Sequence, residues 1–286
     1  MSSEIIEYIG EFGTEVNTFI PFIYYLKTNN MLQHKVVLYQ GMKPYYFFLD
    51  DSEIIFKEQK RYWIPHTARL FLPDSLKDDV VFYNTYNPHP QYYLPPPYSE
   101  FYSKYKVHTS KPIAIIQNKY NAEWGHPPMN YFDVQTLKHM LDILTSKYYV
   151  IYIRSNNLVA PGYSRDMNED QSIDMEDKEM IRANFSNHNV GIIEDLLPKT
   201  SYDFNTFKCI LHANAELFIS VVGGHIDFSN YFPGTHIIYI KWLPDCFKEG
   251  FYYHQHSMML PNNTDKMYIA STHTEVITAC RIVTMA

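Results

Sequence analysis

AELFISVVGGHIDFSNYF, residues Ala215 to Phe232, is the stretch on which the fold turns. An apolar run rich in β-branched and aromatic residues stops at Gly223-Gly224, and a helix-like segment follows before a second apolar run, HIIYIKW. A strand that ends at paired glycines and gives way to a helix leaves backbone N–H groups and the positive end of a helix dipole where a phosphate can sit. The same letters also fit a plain strand-to-helix turn whose glycines serve tight packing, so the rest of the chain has to discriminate.

Upstream the pattern repeats. PIAIIQ (residues 112–117) reads as a buried strand, and the long loop NKYNAEWGHPPMNYF leads to a helix, DVQTLKHMLDILTSK, with Asp133 at its N-cap. YYVIYIR is the next strand. A helix near Asp177 to Asn184, a strand VGIIED, a helix from Asp203 to Ala213 and the strand ELFISVV follow, with HIIYIKW as the fifth strand. Strands alternating with helices mean right-handed βαβ units and a parallel sheet, on which ligands bind beyond the strand C-termini. The first half is α/β as well: a strand over Glu4 to Ile9, a helix over Glu15 to Asn29, and strand-like runs KVVLY and YYFFL. Between the halves, NPHPQYYLPPP carries five prolines, which remove donors and fix φ. The expected organisation is an N-terminal α/β domain over residues 1–110, with a proline-rich linker from about residue 87, and a C-terminal α/β domain over residues 111–286.

Composition agrees with two domains of roughly 100 to 170 residues in a chain of this length. Hydrophobic residues at 46% suffice for a sizeable core. The 26 Tyr and 18 Phe offer faces on which sugar rings stack, and they equally suit an aromatic core. A formal charge of −7 without clustered Lys and Arg argues against nucleic acid as a partner. Cys209, Cys246 and Cys280 are odd in number and widely spaced, which gives neither a disulfide framework nor a zinc motif and suits a reducing compartment. The opening MSSEIIEYIGEFG has early acids and no long apolar core, and no membrane-spanning run occurs, so a cytoplasmic protein is expected.

Two Rossmann-like domains facing a cleft make the GT-B glycosyltransferase plan. On that plan IIQNKYNAEWGHPP, the segment YIRSN (Tyr152 to Asn156) and ELFISVVGGHIDFSNYFPGTHIIYIKW resemble the small GT-B-like glycosyltransferases of large DNA viruses, including the chloroviruses that glycosylate their own capsids. GEFGTEVNTFIPFIYYL is similar too. The likeness covers most of residues 8–40 and 112–242, and the order of the motifs carries it. The resemblance implies transfer of a sugar from a UDP-sugar, UDP-xylose being the donor it points to, in viral glycan synthesis in the host cytoplasm. It places the nucleotide sugar on the C-terminal half. The acceptor, an oligosaccharide or glycoprotein, falls to the N-terminal half.

Inverting transfer needs a base for the acceptor hydroxyl and cationic or N–H groups for the departing diphosphate. Glu15, Glu11 and Asp74 are the candidate bases. Glu15 leads, because heptosyltransferase-like enzymes resemble its spacing after Gly13 and before Pro21; each of the three acids also suits an N-cap or a solvated surface. For the donor, Asn118, Lys119 and Arg154 stand at strand ends, and Ser220, Gly223, Gly224 and His225 make the phosphate cradle. Asp227 fits a sugar hydroxyl or a helix cap, Glu194 and Asp195 fit ribose or base, and Glu123 and Trp124 frame the donor sugar. For the cations a salt bridge to Glu123 or Asp166 is the competing reading. No D-x-D triplet follows a strand, and His254 and His256 have no third ligand, so metal-independent transfer without a further cofactor is expected. The competing functions are a retaining enzyme on the same fold, a non-catalytic glycan- or nucleotide-binding module, and a dehydrogenase, for which G-x-G-x-x-G is missing.

Overall fold

A computed structural model describes residues 5–58, 61, 69–77, 80, 82–84, 87–122, 126–154, 174–185, 189–242 and 267–285. Contacts divide the chain into two compact units that part at Pro97–Tyr98, with residues 203–206 grouped with the first. The sequence reading sets that boundary at 110/111. The proline stretch belongs to the first unit: Leu94 donates its N–H to the Pro21 carbonyl (3.3 Å), and Tyr92 packs edge-on against Tyr25 at 5.5 Å.

The first unit holds a four-stranded sheet, β1 (Ile5–Ile9), β2 (Lys35–Tyr39), β3 (Ile54–Lys57) and β4 (Arg69–Phe71), in the order β3-β2-β1-β4. β1, β2 and β3 run parallel, and β4 lies antiparallel to β1. After β1 one long helix forms in three pieces: α1 (Phe12–Thr14), a π-helical stretch (Glu15–Phe19) and α2 (Ile20–Thr28). Pro21 accounts for the widened turn, since its ring has no N–H and crowds the carbonyl four residues back. The helix buries Phe19, Phe22, Ile23 and Leu26, and Phe19 stacks on Tyr8 of β1. YYFFL is not a strand. Pro44 starts a 3₁₀ turn over Lys43–Tyr46, and Tyr45 and Tyr46 are buried there. A short helix α3 (Asp74–Lys77) and a small hairpin, β5 (Phe82–Asn84) with β6 (Asn87–Pro88), complete the unit.

In the second unit, after α4 (Tyr98–Tyr102), six parallel strands form one sheet: β7 (Ile113–Asn118), β8 (Tyr149–Arg154), β9 (Val190–Ile192), β10 (Ala215–Val221), β11 (Thr235–Tyr239) and β12 (Met267–Ala270). Their order is β12-β11-β10-β7-β8-β9. All six residues of β7 are buried, the continuous apolar pattern of a strand covered on both faces. One face packs Ala114, Ile116, Val150, Tyr152, Leu217, Ile219 and Val221 under α5 (Val134–Leu144), α6 (Asp177–Phe185) and α10 (His273–Met285). α5 begins as its sequence says, with Asp133 accepting the Thr136 N–H at 2.7 Å. The opposite face carries α8 (Phe204–Ala213) and α9 (Gly224–Ser229). VGIIED is a strand only to Ile192, where α7 (Ile193–Leu196) takes over. β12 is a sixth strand beyond the five expected. The α/β class and the parallel sheet are as expected.

Candidate functional site

Chain order along the sheet runs outward from β7, first to β8 and β9, then back past β7 to β10, β11 and β12. The direction of winding reverses between β7 and β10, and the crevice beyond the C-terminal ends of such a pair is the ligand position of an open α/β sheet. Asn118 and Lys119 close one side of it and Val222-Gly223-Gly224 the other. Gly223 has φ +141°, a conformation that disfavours any residue with a Cβ. A Cβ built there would stand 3.0 Å from Lys119 Nζ. The ammonium therefore lies against the glycine backbone, and the expected strand-end lysine meets one of the expected cradle glycines. α9 has only six residues, so its dipole adds little, and the local N–H groups and the lysine dominate the field.

Ser220 and Gln117 are register partners on the helix α8–α9 face. His212 in α8 fixes the local orientation. Its Nδ1 is 2.8 Å from the Lys208 carbonyl, and burial holds the imidazole well below its usual pKa, so Nδ1 donates and Nε2 accepts. The Gln117 amide nitrogen donates to that Nε2 (3.0 Å) and to Ser229 Oγ (2.6 Å), which turns Gln117 Oε1 away. Oε1 and Ser220 Oγ are both buried with no hydrogen-bond partner among the described residues.

The other donor candidates are placed differently. Asn118 is a clamp: its Oδ1 accepts from Phe132 N (2.9 Å) and Lys119 N (3.0 Å), and its Nδ2 donates to the Phe132 carbonyl (2.9 Å) and Tyr152 Oη (3.1 Å). It positions Lys119 rather than pointing a free amide at a ligand. Arg154, 3% exposed, holds Asp177 through Nε and Nη2, each at 2.6 Å, and Tyr152 Oη also donates to Asp177. Burial opposes the charges, but the paired guanidinium keeps the Asp177 carboxyl below the usual carboxylate range. Among the described residues the ion-pair partners of Arg154 are Asp177 and, at 3.7 Å, Asp174; Glu123 and Asp166, the partners named from sequence, lie outside the described residues. Glu194 stands in α7, paired with Lys178 at 2.7 Å, and Asp195 accepts two bonds from Arg182 at 2.9 and 3.0 Å. Both follow β9, two strands from β7 and so about 10 Å along the sheet by the usual strand spacing. Asp227 is buried in the first turn of α9. Glu123 and Trp124, and the His225 side chain, lie outside the described residues, as do His254, His256 and Asp166.

In the first unit Glu15 is 2% exposed. Tyr46 Oη donates to its Oε1 at 2.7 Å, and Arg61 Nη2 pairs with its Oε2 while Nη1 holds the Gly10 carbonyl at 2.8 Å. Arg61, 1% exposed, lies over the Tyr39 ring at 4.2 Å. Both carboxylate oxygens of the leading candidate base are engaged. Glu11, half-buried before α1, accepts from Thr14 Oγ1 at 2.9 Å through one oxygen. Asp74 belongs elsewhere. β4 runs against β1 with Glu7 opposite Phe71, so Asp74 follows at the N-terminal end of the parallel strands, away from Glu11 and Glu15. It is exposed and pairs with Lys77 at 2.8 Å.

Sequence reasoning missed Arg61, which stands in a stretch without periodicity, and Asp177, read only as a helix start. It also passed over Asn130, whose Oδ1 accepts from Lys241 N (2.9 Å) and Trp242 N (3.0 Å) while its Nδ2 donates to the Trp242 carbonyl (2.9 Å). Among the described residues no group of His, Cys, Asp and Glu is arranged to hold a metal ion, and no helix is long and apolar enough to cross a membrane. Comparison with known proteins gives no match to a family model, a curated protein or a solved structure.

Proposed function

We propose that the chain is a glycosyltransferase on the GT-B plan, with the second unit binding a nucleotide sugar by its diphosphate and the first unit serving the acceptor. The observation that carries this reading is Lys119 Nζ lying against the positive-φ Gly223 at the β7–β10 reversal. A diphosphate there meets one cation and unobstructed N–H groups, and the same groups stabilise the charge that grows on it as the glycosidic bond breaks. UDP-xylose is the first donor to test and an oligosaccharide the acceptor class. The groups present need no metal for this step, so activity should persist in chelator.

Titration calorimetry with UDP and with inorganic pyrophosphate tests the site. Wild type should bind both, and Lys119→Ala should weaken both by 10-fold or more, in line with about 1.5–3 kcal/mol for a charge-assisted hydrogen bond. Unchanged affinity in a folded Lys119→Ala variant would sink the cradle. The engagement of both Glu15 oxygens favours a second reading, a retaining transfer in which no acid of the first unit takes the proton. Proton NMR of the product separates the two, because inversion gives the anomeric configuration opposite to the donor's.

A further inference from the structure

We propose that the base of the nucleotide stacks at Trp242, on the β11 side of the crevice. The inference rests on the nucleotide-sugar reading of the Gly223–Lys119 turn and adds the subsite that selects a planar ring. From Gly223 a nucleoside diphosphate extends along the strand C-termini in one of two directions. Towards β8 and β9 most polar groups are held in internal pairs: Asn118 with Phe132 and Tyr152, Arg154 with Asp177, and Glu194 Oε1 with Lys178, while Glu194 Oε2 is buried without a hydrogen-bond partner among the described residues. A base placed there meets side chains whose hydrogen bonds it would have to break.

Towards β11 the situation is the reverse. Val222 N–H donates to the Tyr239 carbonyl at 3.1 Å, so the glycine turn and the end of β11 are direct neighbours. Ile240 is still held to Ala270 (2.9 Å), and Trp242 is two residues further, at most about 7 Å of chain. The three hydrogen bonds from Asn130, itself 6% exposed, fix the backbone of Lys241 and Trp242, so the indole is carried on a rigid support. The His126 ring stands 4.8 Å from the indole at 58°, tilted and not stacked parallel on it. Trp242 is half-buried, and His126 and Lys241 are exposed. A held aromatic ring, one strand from a phosphate cradle, has the chemistry of a base platform. Stacking tolerates any base because every base has a π-face.

The experiment separates the ring from the phosphates. Trp242→Ala should raise the Kd for UDP by about 10- to 100-fold, the range expected for one lost stack, and leave the Kd for pyrophosphate unchanged. Trp242→Phe should recover most of the loss. In a Trp63→Phe/Trp124→Phe background, which leaves one of the three tryptophans, UDP should quench the fluorescence and pyrophosphate should not; this reading holds even where the alanine variant does not fold. Unchanged UDP affinity in Trp242→Ala, equal loss of UDP and pyrophosphate, or absence of quenching would each overturn the assignment while leaving the cradle standing. Failure of wild type to bind either ligand would overturn the nucleotide-sugar reading and the platform with it.

Discussion

At the scale of single residues the decisive groups are buried ions, and their partners set what a substitution does. Glu15→Gln leaves the Arg61 guanidinium buried opposite a neutral amide, which should cost about 3–5 kcal/mol of stability, read as a lowered urea midpoint. Were the variant as stable as wild type but inactive, Glu15 would be a catalytic acid after all. Lys208 gives the sharper pH test. It is 1% exposed in α8, with the Phe228 ring at 5.3 Å, and burial lowers its pKa from 10.5 to about 8. Between those values the unfolded chain binds more protons than the folded one, so stability rises with pH across that window, by roughly 3 kcal/mol for a shift of this size. Lys208→Met should abolish the slope and be more stable than wild type at pH 7. A slope that survives the substitution would assign it to another group. Glu15 was legible as an unusual acid through its spacing after Gly13 and before Pro21. Its partner lies 46 residues away in sequence, and no local pattern carries that information.

At the scale of elements, the second unit was readable because continuous apolar runs and amphipathic helices alternate there, and periodicity reports burial directly. PIAIIQ, YYVIYIR and ELFISVV are strands β7, β8 and β10, and Asp133 is the cap expected of it. YYFFL misled because an aromatic run reads the same whether it is buried as a strand or as a 3₁₀ turn, and Pro44 was the overlooked signal. Strand ends were legible as positions, but which face each side chain takes was not. Arg154 has even-numbered Val150 and Tyr152 as same-face neighbours under α5 and α6, and there it ties β8 to the first residue of α6. A double-mutant cycle checks this. Arg154→Met and Asp177→Leu should each lose about 3–5 kcal/mol, and together far less than the sum, since replacing both partners removes the uncompensated charge. Additive losses would mean that the two residues do not act as a pair.

At the scale of the whole molecule, the winding that creates the crevice also dictates when it is made. β7 is the first strand of the second unit in chain order, and β8 adds to one edge of it, and β9 to β8, soon after synthesis. Its other edge waits for β10, whose first residue is Ala215, roughly 100 residues after β7 ends; at translation rates of about 5–20 residues per second that is an interval of some 5–20 s. Throughout that interval IAIIQN, six residues without a charge or a proline, presents a bare row of N–H and C=O groups, the composition of a segment that recruits like strands from other chains. Ligand-binding geometry and exposure to misassembly on the ribosome thus come from one topological choice, and a nascent chain stalled before Ala215 would be a substrate for chaperones.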